Sequence, residues 1–188
     1  VKAIAEYQPD LIGTGGLSAE YACIRDTIGF ARKYAPNTTV VLGGNILTYD
    51  REFIFEKLHP DFGIVGEAEY ITPQLVEHLG GKRSIDQVAN VAHWVNGKPV
   101  YHPVIHPNAN LDDIPYPNYE IFNYKTQMEQ FTQTDIFYGY VKQRPRVFPL
   151  SLARACPFRC TFCLKGNARK YRTRSIDSAI AEIKHFYN

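Results

Sequence analysis

Three times between residues 10 and 67 a short apolar run ends in glycine, and this repetition constrains the fold more than any other feature. Residues 10–14, Asp-Leu-Ile-Gly-Thr, run into Gly15-Gly16. The β-branched stretch 38–42 runs into Gly43-Gly44-Asn45, and residues 62–65 run into Gly66-Glu67. Runs of this length and composition predict buried strands.

Helical patterns separate them. Leu17 and Ser18 open a helix with Ser18 as N-cap, Ile24, Ile28 and Ala31 on one face, Arg32 and Lys33 near its negative end, and Pro36 as the stop. Shorter helices are predicted over 50–58 and 72–79, the second closed by Gly80-Gly81, and residues 1–8 read as the tail of a helix ended by Pro9. A chain that opens in mid-helix predicts a piece of something longer. Alternating strands and helices with short connections predict an α/β fold with a parallel, doubly wound sheet. Ligands of such sheets lie at the carboxyl ends of the strands, where all three glycine turns fall. Glycine there lets a backbone approach a ligand, although turn geometry alone also explains it.

The second feature is chemical. Cys156, Cys160 and Cys163, three of the four cysteines, stand within eight residues as C-x-x-x-C-x-x-C, with Phe162 before the last. Three thiolates on one loop suit three irons of a [4Fe–4S] cube, leaving the fourth iron to an outside ligand. Zinc, which takes four ligands, and reduced structural thiols are the competing readings. His106 and His185 have no ligand-like spacing to this loop, and Cys23, on a predicted helix, reads as a small buried hydrophobe. Residues 147–153 read as a short strand before the loop. After it Ser175 caps a helix carrying Ile176, Ala179, Ile180 and Ile183 at helical spacing.

The chain has 188 residues, is 45% hydrophobic and 21% charged, and contains no apolar run long enough to span a membrane. Few, clustered cysteines predict a reducing, cytoplasmic setting. The net charge of +2 is uninformative, but Arg154, Arg159, Lys165, Arg169, Lys170, Arg172 and Arg174 run without an acid between residues 151 and 174. The run lacks the interleaved aromatics of a nucleic-acid surface, so nucleic acid is not an expected partner. Cations here suit a negative cluster and a carboxylate ligand, with a solvated face as the alternative. His93, His102 and His106 read as surface or hydrogen-bonded histidines. Asn96-Gly97 marks a hairpin turn, and residues 108–117 are turn-rich.

The cysteine motif resembles the signature of the radical S-adenosylmethionine (SAM) enzymes. The glycine turns resemble the cobalamin-binding domain that precedes the radical SAM domain in one class of them. The matching stretches are residues 9–18, 40–44 and 61–69, and the run Asp112-Asp113-Ile114-Pro115-Tyr116-Pro117 resembles the linker between the two domains. The resemblance implies a Rossmann-like (flavodoxin-like) cobalamin-binding domain over 1–90, an irregular linker over 91–146, and the first β/α unit of a radical SAM barrel over 147–188. It implies a [4Fe–4S] cluster on Cys156, Cys160 and Cys163, with SAM on the open iron and Phe162 beside it. It implies cobalamin against Thr14, Gly15, Gly16, Leu17, Ser18, Gly43, Gly44, Asn45, Gly66 and Glu67. Reductive cleavage of SAM and methyl transfer to an unactivated centre are the implied chemistry. A small-molecule or peptide substrate and a flavodoxin- or ferredoxin-like electron donor are the implied partners.

Gly15 stands where the family carries a serine. The family's first strand is expected before Val1, and its later barrel strands after Asn188. Two rivals follow from the same residues. One is a radical SAM enzyme whose front domain recognises substrate or partner without cobalamin; the other is a non-enzymatic binding module with a structural metal at the cysteine loop.

Overall fold

The computed structural model describes residues 2–105, 110–130, 150–158, 160–163 and 170–187. The chain divides into two compact units, 1–108 with 159–169, and 109–158 with 170–188.

In the first unit, helix α1 (Lys2–Tyr7) leads to strand β1 (Leu11–Gly15), and α2 (Tyr21–Tyr34) to β2 (Thr39–Gly43). Two short helices, α3 (Gly44–Tyr49) and α4 (Arg51–Leu58), precede β3 (Phe62–Ile64), and α5 (Ile71–Leu79) follows it. Strands β1, β2 and β3 are neighbours in that order and parallel. The sheet then departs from the all-parallel expectation. The Asn96-Gly97 hairpin, placed by sequence in the linker, forms β4 (Val91–Val95) and β5 (Lys98–Tyr101) and joins β3 antiparallel. Asn96 and Gly97 both have positive φ, as a two-residue turn matched to strand twist requires.

The period of two along a strand explains the two cores. Val40 and Leu42 face a cluster with Ile24, Ile28 and Ala31 of α2 and Ile46, Leu47 and Phe55 of α3 and α4. Val41 points the other way, to Ile71 and Leu75 of α5 with Ile64 and Val91. Burying these aliphatic side chains, at ~1.5–3 kcal/mol each, is what opposes the chain entropy lost.

Three local expectations are corrected. Ser18 does not cap α2: a 3-10 turn (Ser18–Glu20) intervenes, and Glu20 Oε2 accepts the Leu17 N–H at 2.7 Å. Cys23 is exposed, because the buried face of α2 carries Ile24, Ile28 and Ala31. Helix α3 starts directly in the second glycine turn, where only a loop was expected.

In the second unit, residues 147–149 of the expected barrel strand lie outside the described residues. The strand observed is β6 (Ala153–Arg154), which pairs antiparallel with β7 (Arg172–Thr173) across the cysteine loop. A short α6 (Tyr124–Gln130) lies between the units' strands in sequence, and α7 (Ile176–Tyr187) closes the chain. Ser175 caps α7 as expected: its Oγ accepts the Ser178 N–H at 3.1 Å. The helically spaced isoleucines are not the side chains that α7 buries. Ile176 is 78% exposed, with Ile180 and Ile183 also exposed, while Glu182 and Phe186 are buried. The cause is polar. Glu182 pairs with Arg174 and accepts the Tyr119 hydroxyl, and Asp112 Oδ1 accepts the Ser175 N–H at 2.9 Å. That carboxylate bond, the backbone Ser175 contact first among its causes, holds Asp112 below its usual pKa.

Candidate functional site at the glycine turns

The parallel register sets the site. Gly15 ends β1 exactly opposite Gly43, the end of β2, and Val65-Gly66 follows the end of β3. All three turns therefore gather at the carboxyl edge of the parallel strands, the edge that binds ligands in open α/β sheets. The residues singled out by sequence there, Thr14 to Ser18, Gly43 to Asn45, and Gly66-Glu67, belong to one edge.

Backbone packing explains two of these glycines. A Cβ at Gly15 would lie 2.4 Å from Gly43 O, and one at Gly44 would lie 2.6 Å from Gly16 N. Gly44 also has φ of +79°, a region that side chains disfavour. The first two turns thus touch main chain to main chain, joined by a bond from Ile46 N–H to Gly16 O at 2.9 Å. A serine at 15 has no room, so the missing hydroxyl is a consequence of this close approach.

Gly43 is different. Its φ is −140°, open to any residue, and the one neighbour of an added Cβ is Ile64 O at 3.8 Å. The chain's own packing does not demand glycine there. A backbone cradle that a methyl group would fill is what close approach of a bulky ligand needs.

Sequence reading missed two residues that hold the third turn. Asn90 is 2% exposed, with φ of +60°. Its Nδ2 donates to Val65 O and Ile105 O at 3.0 and 2.9 Å, and its Oδ1 accepts the Ile105 N–H at 2.8 Å. Its carbonyl accepts the Val65 N–H. Thr48 Oγ1 accepts the Gly66 N–H at 3.1 Å and donates to Gly44 O at 3.0 Å. No short-range pattern marks their hold on the third turn, since, the local Gly44 O apart, their side-chain partners lie 15 to 25 residues away.

The cysteine loop is described at its thiols. Cys156, Cys160 and Cys163 are free and exposed, and Phe162 is 91% exposed. Ala155 precedes the loop at φ of +66°, and the Cys163 N–H donates to Cys160 O at 3.2 Å. Among the described residues, no group of three His, Cys, Asp or Glu side chains is gathered as a metal site. The donor set nonetheless has the chemistry of a cluster site, three accessible thiols in a short loop. Of the basic run, Arg174 is committed to Glu182 in a nearly buried pair; Arg159, Lys165 and Arg169 lie outside the described residues. Among the histidines, His93 and His102 bond to each other, Nε2 to Nε2, at 3.1 Å.

Residues 1–76, which include all three turns, match the B12 binding domain family model. Over 186 residues the chain is 26% identical to an uncharacterized methyltransferase of Pyrococcus horikoshii, covering 97% of this chain and 38% of that protein. Over 190 residues it is 27% identical to the anaerobic magnesium-protoporphyrin IX monomethyl ester cyclase of Cereibacter sphaeroides, covering 98% of this chain and 29% of that one. The fold matches the cobalamin-dependent S-adenosylmethionine radical enzyme OxsB, solved with aqua-cobalamin, at a TM-score of 0.73 and 20% identity, over 98% of this chain and 24% of that one. The chain thus spans well under half the length of the relatives it matches.

Proposed function

We propose, from the match of residues 1–76 to the B12 binding domain model, that the chain is part of a cobalamin-dependent radical SAM enzyme, with methyl transfer as its reaction. The observation that carries this reading is the gathering of three glycine turns at one strand edge, with backbone at Gly43 that its own packing does not require to be glycine. Main-chain groups of Thr14 to Ser18, Gly43 to Asn45 and Gly66-Glu67 would hold cobalamin there. The Gly15–Gly43 and Gly16–Gly44 contacts fix the spacing of the first two turns before any ligand arrives, so little ordering cost falls on binding.

Cys156, Cys160 and Cys163 would hold a [4Fe–4S] cluster, and Phe162 would pack beside it and help place SAM. Bound cofactors supply the difficult chemistry: one electron for SAM cleavage from the cluster, and methyl-group transfer from cobalamin. The protein's share is to bind, orient and exclude water. Methyl transfer is the reaction named for the Pyrococcus relative, and cyclisation, named for the Cereibacter relative at similar identity, is the second reading. A small-molecule or peptide substrate and a flavodoxin- or ferredoxin-like electron donor complete the proposal.

The test uses the full-length protein, purified and reconstituted without oxygen. Replacing Cys156, Cys160 and Cys163 together by Ala should abolish iron and sulfide content and SAM cleavage, while cobalamin binding persists. Retention of about four irons per chain in that variant would sink the cluster assignment.

A further inference from the structure

We propose that Thr48 is a positioning residue whose hydroxyl locks the second and third glycine turns to each other and so sets the shape of the cobalamin site; this rests on the cobalamin reading above. Thr48 lies in the last turn of α3, the helix that begins in the second glycine turn. Its bond to Gly44 O, four residues back, is the ordinary local bond of a helical threonine. Its bond from the Gly66 N–H is not local, for it spans 18 residues and links two different strand ends.

The roles of the hydroxyl are fixed by its partners. A carbonyl only accepts, so the threonine proton goes to Gly44 O and a lone pair takes the Gly66 N–H. One oxygen therefore relays between the turns after β2 and β3. The first and second turns are already tied by Ile46 N–H to Gly16 O, and Asn90 holds Val65 from the other side. Beyond the β2–β3 pairing, Thr48 ties the third turn itself to the second. Gly66, at φ of +83° and beyond the end of β3, lies outside the strand ladder. A ligand that spans all three turns needs their relative positions held before it binds, and any looseness is charged against its affinity.

Thr48 also lines a cavity with Val65, Val104, Asp50 and Arg51. In a valine variant this opening admits water beside position 48, where the hydroxyl is lost, which limits the cost to the free protein. Loss of the hydroxyl should therefore show in ligand affinity more than in the melt.

The experiment measures the dissociation constant of cobalamin for full-length wild type, Thr48→Val and Thr48→Ser, each with a thermal melt. Valine should weaken binding about fivefold or more, the worth of one hydrogen bond, and serine should restore it to within about twofold of wild type. Equal affinity in wild type and valine variant would overturn the inference, and equal loss in the serine variant would assign the effect to the methyl group instead. A wild type that binds no cobalamin would overturn the cobalamin reading itself, a distinct result, and the inference with it. Should the valine variant unfold, amide exchange in wild type decides: the Gly66 amide should be protected, and free exchange there would contradict the bond.

Discussion

Gly43 and Gly44 are adjacent, yet they owe their glycines to different causes. Gly44 sits at positive φ with its missing Cβ on the backbone of Gly16, while Gly43 is extended with open space beside it. Gly44→Ala should therefore lower stability by about 1–3 kcal/mol through strain and clash, whatever the ligand. Gly43→Ala should melt like wild type and weaken cobalamin binding about tenfold, roughly 1.4 kcal/mol. Chemical denaturation with cobalamin titration separates them; a Gly43 variant that binds normally would make that glycine merely incidental. Sequence alone located both glycines at a strand end but could not tell them apart, because the distinction depends on what lies across the turn. Asn90 was illegible for the same reason, its partners being remote in sequence.

Among the elements, β1, β2 and β3 were legible as short, largely apolar runs that lead into glycine turns, although only β2 and β3 carry buried residues. Helix α3 was not, since Gly44-Asn45 carries the signature of a turn and no capping side chain. The hairpin was legible as a hairpin, but local pattern says nothing about which strand it will pair with. Its attachment to β3 brings a pH dependence. His102 Nδ1 donates to Val88 O at 2.6 Å, so its Nε2 accepts and His93 Nε2 donates. Burial first, and then the His102 and His78 charges, hold His93 below its ordinary value of 6.5, with Asp86 opposing. A depressed folded pKa means that the unfolded chain binds the proton more readily. Its stabilisation is thus present above pH 6.5 and lost as pH falls through the folded value. Urea unfolding of the protein should show lower stability at pH 5 than at pH 7, and His93→Gln should flatten that dependence. An unchanged slope in the variant would place the titration elsewhere.

At the scale of the whole molecule, each unit has its own kind of cohesion. The first is a two-sided apolar sheet, while the second is tied by the Arg174–Glu182 pair, Tyr119 and the Asp112–Ser175 bond. No helix among the described residues is long and apolar enough to cross a membrane. Helix α7 itself was legible from its helically spaced Ile176, Ile180 and Ile183, but not that these stay exposed while Glu182, paired with Arg174, is buried. The proposed enzyme carries both a corrinoid and an iron–sulfur cluster. The most direct test is the absorption spectrum of the full-length protein, reconstituted anaerobically with iron and sulfide, incubated with cobalamin and freed of unbound cofactor by gel filtration. Corrinoid bands and a broad iron–sulfur shoulder should elute together with the protein. A protein that emerges with the iron–sulfur shoulder alone would contradict the cobalamin assignment, and one with neither would contradict both.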